Sequence, residues 1–297
     1  MVGTKKVKKY NILLCLLAGL ALFAARPALC ADAPPKAAPV VPDAQIIPHR
    51  ALYDIRMTEK HSGAEIVNVS GQMMFEWHKS CEAWNTTHRF SLVYEYADNP
   101  SVKVTSDFST FETLDGRSLD FSARRRRNGE LFEDIRGHAE NDRGAPGKKD
   151  KVIYTKPDTL KMDLPKGTLF PMSHTLELLR QIKAGKKFFN AVIFDGSDEE
   201  GPVEVNAVIG NEVNALAEID GKDLNKNIDT NLLNNKSWSV HMAFFPLDED
   251  GAEAEYEITA RLHENGIISD MDVDYKTFSV SQKLTALEPL ENEDCGN

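Results

Sequence analysis

The sequence predicts a mainly β protein: a long antiparallel meander with one principal α-helix, tied by one disulfide. Three observations carry this. Apolar residues recur with a period of two over most of the chain. Asn-Gly and Asp-Gly pairs punctuate those runs. Two cysteines, Cys81 and Cys295, stand alone in a chain that carries an export signal.

The N-terminus opens with a basic stretch, Lys5, Lys6, Lys8 and Lys9, followed by the apolar run "ILLCLLAGLALFAA" and the small residues of "ARPALCADA". This is the layout of a secretory signal peptide over residues 1–30, with cleavage between Cys30 and Ala33. The apolar run falls short of the ~20 residues that a membrane span usually needs, so the mature chain is expected to have no transmembrane segment. Leu29 precedes Cys30 where lipoprotein processing would require a small residue. The expected location is the periplasm.

Cleavage changes the charge. The first thirty residues hold five of the 35 basic residues and no acid, which leaves 30 basic against 46 acidic, a net of about −16. Such an acidic chain is poorly suited to nucleic acid or to an anionic membrane surface.

Cleavage also removes Cys15 and leaves Cys81 and Cys295 as the natural disulfide pair. Closing a loop of more than two hundred residues is worth at most about 5 kcal/mol by the chain-entropy argument. No C-x-x-C motif supports a redox role.

Residues 31–47, "ADAPPKAAPVVPDAQII", read as an Ala/Pro-rich linker, and residues 48–297 as a single β domain. Within that domain, "RFSLVYEYAD" sets Phe90, Leu92, Tyr94 and Tyr96 on one face. Val203, Val205, Ala207 and Ile209 alternate with polar residues, and Trp238, Val240, Met242 and Phe244 share a face. Ala254, Tyr256, Ile258, Ala260 and Leu262 do the same, as do Met271, Val273 and Tyr275. This is the signature of antiparallel strands with one buried and one wet face. Asp115-Gly116, Asn128-Gly129, Asp195-Gly196, Asp220-Gly221, Asp250-Gly251 and Asn265-Gly266 are the expected hairpin turns.

One segment breaks the period. "FPMSHTLELLRQIKAGKK" offers Ser173 as N-cap, Leu176, Leu179 and Ile182 as an apolar side, and Gly185 as the stop. A helix of about three turns would cover an open side of the curved sheet. Residues 222–235 fit either a short helix or a loop.

Chemistry-bearing motifs are few. "ARRRRNGELFEDIRGHAE" fits a hairpin about Asn128-Gly129, with Arg127 facing Glu130 and Arg124 facing Glu133. Arg124, Arg125, Arg126 and Arg127 could also contact an acidic partner. The acids of "VIFDGSDEEG" fail the calcium-loop spacing. His49, His174 and His241 are isolated, and no zinc spacing joins the histidines. G-x-S-x-G and S-x-x-K are absent, and Ser197 has no base assigned by spacing. The expectation is a protein without catalysis, metal or cofactor.

In order along the chain, "PHRALYDI", the strand bearing Cys81, "NGELFEDIRGHA", "LFPMSHTLELL", "FDGS", "WSVHMAFFP", "EYEITARLHENGI" and "DMDVDYKTFSVSQKLTALEPL" with a terminal cysteine resemble the EipB-like envelope-integrity proteins of alphaproteobacteria. The resemblance spans Pro48 to Cys295. It implies a periplasmic protein whose strands wind into a β-spiral or broken barrel closed by one disulfide, which maps onto Cys81 and Cys295. It also implies a role in cell-envelope integrity, through a lipid, lipoprotein or envelope-protein partner. On that view, Phe90, Tyr94, Trp238, Phe244 and Tyr256 are candidates for an apolar binding face. The alternatives are a protein-binding scaffold using the outer face or the arginine hairpin, and an envelope hydrolase using Ser197 or His174. The bridge is expected to tie the two ends of the wound sheet together.

Overall fold

The computed structural model describes residues 45–141, 150–157, 160–214, 225–247 and 253–296. The signal peptide, most of the linker, and the Asp220-Gly221 and Asp250-Gly251 turns lie outside the described residues.

The two-residue period becomes fourteen strands. The first eight are β1 (His49–Lys60), β2 (Ile66–Lys79), β3 (Ala83–Tyr96), β4 (Val102–Thr113), β5 (Ser118–Arg127), β6 (Glu130–Glu140), β7 (Lys151–Lys156) and β8 (Lys161–Asp163). Helix α1 (Pro171–Lys183) follows. Then come β9 (Phe188–Ile193), β10 (Val203–Asn214), β11 (Lys236–Pro246), β12 (Tyr256–His263), β13 (Ile268–Tyr275) and β14 (Phe278–Pro289), with a 3₁₀ turn at Thr230–Leu233 between β10 and β11. Residues 222–235 therefore hold a short turn of helix where they are described.

All strands join one antiparallel sheet in the order β8-β7-β6-β5-β4-β3-β2-β1-β14-β13-β12-β11-β10-β9. Sequence neighbours pair throughout except β8 and β9, and β1 pairs in addition with β14. The first and last strands thus meet at the centre of the sheet, and its edges, β8 and β9, come from the middle of the chain. They do not pair with each other, so the sheet forms a broken barrel. A segment after β8 spans the break: Leu169 N–H donates to Val192 O at 2.8 Å, and Phe194 N–H donates to Leu169 O at 3.0 Å.

This topology corrects the expected role of the disulfide. Cys81 and Cys295 are bonded across a separation of 214 residues. Yet Cys81 lies in the β2–β3 turn and Cys295 in the tail after β14, both beside the sheet centre. The bridge clips the C-terminal tail to the middle of the sheet, not one edge to the other.

Local turn chemistry sets the hairpins. Asn128 (φ 51°) and Gly129 (φ 90°) form the two-residue β5–β6 turn. Asp195-Gly196, by contrast, is not a hairpin turn but part of the long β9–β10 loop, in which Phe194 is buried against Phe121, ring centroids 5.5 Å apart. A Cβ on Gly196 would come within 2.3 Å of the Phe121 ring, so only glycine lets this loop lie on the sheet. Along β14, Ser281 and Gln282 pair in register with Arg56 and Ile55, and the pairing with β1 shifts at Thr285.

Helix α1 starts differently from the expectation. Its N-cap is Phe170, with no side-chain cap, and Pro171 opens the helix. The capping oxygens come from β4: Glu112, 2% exposed, accepts from Met172 N–H at 2.7 Å, from Ser173 N–H at 2.8 Å and from the Ser173 hydroxyl at 2.6 Å. Ser173 is thus inside the first turn. Gly185 (φ 73°) ends the helix as expected. The buried side is Met172, His174, Leu178, Leu179 and Ile182, with Leu176 outside it. Leu178, Leu179 and Ile182 pack on Ala207, Ile209, Trp238, Val240 and Leu262, while Met172 sits with Trp77 and Trp84. The helix therefore fills one end of the barrel.

Two outcomes are expected. Cys81→Ser lowers the melting temperature of the oxidised protein by about 10 °C or more, following the loop-closure argument; calorimetry showing no change would contradict it. Glu112→Ala, which strips two helix N–H groups of a charged acceptor, lowers unfolding free energy by about 2–3 kcal/mol in urea titration.

Candidate functional site

Strand alternation and register define what faces into the barrel. Met73 of β2 lies opposite Phe90 of β3, Phe75 opposite His88, and Gly71 opposite Leu92. Further along, His88 faces Phe108 of β4. On the other flank, Met242 faces Ile258 and Phe244 faces Tyr256. Next to α1 the inward residues are fully buried, among them Ile209, Val240 and Leu262. Away from the helix the picture changes: Met73, Phe90, Leu92, Tyr94, Phe108, Ile258 and Met271 point inward yet are only half-buried, beside a buried cluster of Ile55, Val69, Val273, Phe278 and Val280. The inner face thus keeps a row of partly exposed apolar side chains toward the end remote from α1.

Polar groups punctuate this face. Thr86 Oγ1, Ser106 Oγ and Gln282 Oε1 occupy inward positions and are buried without a hydrogen-bond partner. Burial drives the His88 imidazole down to about 4, and raises the Tyr94 phenol to about 12. At the end away from α1, among the described residues, the β9–β10 loop folds over the mouth. There the inward-facing Arg125 bonds Glu133 and donates to Ser197 O at 2.9 Å. The Tyr154 hydroxyl donates to Asp198 O at 2.9 Å. Asp195 accepts the Ser197 N–H at 2.8 Å, and burial raises its carboxyl above the usual range despite that bond and Arg125. Tyr256 is raised by burial first, then by the Asp195 carboxylate.

The five aromatic candidates all lie on the concave side but do not form one surface. Trp238 belongs to the core beneath α1. Phe244 and Tyr256 stack at 4.4 Å, and Tyr94 meets Phe278 edge-on at 6.3 Å. Phe90 stands half-buried between Met73 and Ser106. The alternation of the strands marked these residues and Tyr275; it did not mark His88 or Phe278, which lie beside them on the inner face.

The arginine hairpin divides. Arg127 faces Glu130 as expected, but a bulge at Phe132 shifts the rest, so that Arg125 faces Glu133 and Arg124 faces Asp134. Arg124 and Arg126 point outward. Arg125 points inward, while Arg127 is exposed at the end of β5 with its guanidinium 5.0 Å from the Phe132 ring. Leu131 and Phe132 stand out at the tip, 51% and 49% exposed.

Ser197 and His174 lie beyond opposite ends of β9, and the structure does not bring them together. His174 stacks on Phe189 at 5.6 Å. Among the described residues no group of three or more His, Cys, Asp or Glu side chains is placed to hold a metal ion, and no helix is long and apolar enough to cross a membrane.

Comparison with known proteins adds the following. A family model described as EipB-like matches residues 41–291. The chain is 31% identical over 247 residues to the cell envelope integrity protein EipB of Brucella abortus (strain 2308), covering 82% of this chain and 84% of that protein. A solved β-barrel-like protein of a domain of unknown function from Brucella abortus superposes with a TM-score of 0.75 at 29% identity, over 84% of this chain and all of the other.

The buried histidines set a pH dependence. His88, His174 and His263 are all held down to about 4 by burial, against ~6.5 when unfolded. Between those values the unfolded chain binds more protons, so stability is full above ~6.5 and is lost as pH falls toward about 4. Asp195, raised, acts in the opposite sense but is a single group. Melting temperature is expected to fall between pH 6.5 and 4.5, and His88→Gln to flatten part of that slope; a flat profile would contradict it.

Proposed function

The chain belongs to the EipB-like family, and on that premise we propose that it is a non-enzymatic periplasmic protein that supports cell-envelope integrity by holding the acyl chain, or another apolar segment, of an envelope component inside its broken barrel. The observation that carries this reading is the row of inward-facing apolar side chains left half-buried away from α1. Ligand pockets are mostly apolar, with a few placed polar groups, and this face has that composition. Thr86, Ser106 and Gln282 supply buried polar atoms that need a partner. The N-terminal export signal supports the periplasmic location, and the relative's name supports the envelope role.

A second reading, a protein-binding scaffold, draws on Leu131 and Phe132, apolar side chains exposed at the tip of the β5–β6 hairpin.

The test is saturable binding of a dansylated undecanoic acid to the mature protein. Leu92→Trp and Ile258→Trp, which fill the interior, are expected to weaken binding at least tenfold while leaving the circular dichroism spectrum unchanged. Absence of saturable binding, or binding indifferent to both substitutions, would exclude the interior. Phe132→Asp should leave probe binding intact; if it instead abolishes capture of an envelope protein, the scaffold reading gains.

A further inference from the structure

A second concavity lies at the opposite end of the barrel, on the outer side of α1, independent of the interior discussed above. It is a cleft of about 600 Å³, within the range of about 300–1,000 Å³ typical of small-ligand sites. One wall is the helix face Ser173, Leu176, Glu177 and Arg180; the facing wall is Lys79 and Trp84 with Leu114 and Asn141, and Lys166, Gly167 and Leu169 close the third side.

Its charge runs against that of the protein. The whole chain has a formal net charge of −11. The cleft lining holds three cations, Lys79, Lys166 and Arg180, against one carboxylate, Glu177, a local balance of about +2. Glu177 is already engaged: Arg180 Nε donates to it at 2.8 Å, and Gln181 Nε2 donates to it as well. Lys79 has no carboxylate partner among the described residues; its ammonium lies 5.4 Å from the Trp84 ring. Lys166, in the turn after β8, has none either. By contrast, the 350 Å³ concavity at the other end of the sheet is lined by Asp163, Glu200 and Glu255 and by no lysine or arginine. The basic lining sets this cleft apart from that concavity.

Apolar area accompanies the charge. Leu114 is 42% exposed at the β4–β5 turn, and Leu169 and Leu176 are half-buried beside it. Each wall carries one cation and one leucine, Arg180 with Leu176, Lys79 with Leu114 and Lys166 with Leu169, a mixed lining that suits a molecule with both an anionic group and an apolar body. Lysine and arginine are the side chains suited to phosphate. We propose that this cleft binds a phosphate-bearing anionic amphiphile, with its phosphate among Lys79, Lys166 and Arg180 and its chain against Leu114, Leu169 and Leu176. The three leucines set among the cations favour a lipid over a free phosphate ion as the source of that group.

The experiment is calorimetric titration of the folded mature chain with dihexanoylphosphatidylglycerol below its aggregation concentration, with dihexanoylphosphatidylcholine, and with inorganic phosphate. The anionic lipid is expected to bind at least tenfold tighter than either. The Lys79→Gln/Lys166→Gln pair should lose at least tenfold of that affinity. Lys166→Gln alone, on an exposed turn, should lose a smaller part without any effect on folding. The interior substitution Leu92→Trp should change nothing here, so failure at one site leaves the other standing. Equal binding of the zwitterionic lipid, or unchanged binding in the lysine variants, would overturn the assignment of the cleft. Phosphate binding as tightly as the lipid would overturn the amphiphile.

Discussion

The carboxylate of Glu112 holds together two parts of the chain that would otherwise only adjoin. It reaches from the end of β4 to the first turn of α1 and takes two backbone N–H groups and a hydroxyl. A helix start carries unsatisfied donors and a partial positive charge, so a buried carboxylate there is stabilised by both. Once α1 is fixed at that point, Met172 falls between Trp77 and Trp84, and Leu178, Leu179 and Ile182 reach the strands on the other flank. The helix thereby joins both walls of the sheet at one end, and the barrel is sealed there without its edge strands meeting.

The topology explains why such a seal is needed. With β1 paired to β14, the two halves of the chain wind outward from a shared centre, and each finishes in an unpaired edge. Edge strands invite association and need cover. Here β8 is only three residues long, and β9 is bridged by Leu169. The disulfide acts elsewhere, clipping the tail to the centre of the sheet, where it restrains the two strands on which both windings depend.

Much of this was legible in the sequence, because it is local. Alternation marked the inward faces of β3 and β10 to β13, Asn128-Gly129 marked a hairpin, and Gly185 marked the end of the helix. What escaped was set by distant residues. The cap of α1 comes from Glu112, 61 residues before Ser173, so the local hydroxyl was the natural but mistaken choice. The bulge at Phe132 shifts the arginine pairing by one residue, and no periodicity announces it. Nor does a row of four arginines reveal that Arg125 turns inward beneath a loop that arrives seventy-two positions later. The pairing of β1 with β14 is likewise non-local, which is why the bridge was expected at the edges.

The account therefore centres on a sheet sealed at one end by α1 whose inner face, toward the other end, keeps a row of apolar side chains only partly buried. Native mass spectrometry of the mature protein recovered from the periplasm, followed by denaturation of the same sample, tests this most directly. The account predicts a mass excess that leaves on denaturation and fragments as a lipid or other apolar envelope component. A bare polypeptide mass across several gentle preparations would contradict it.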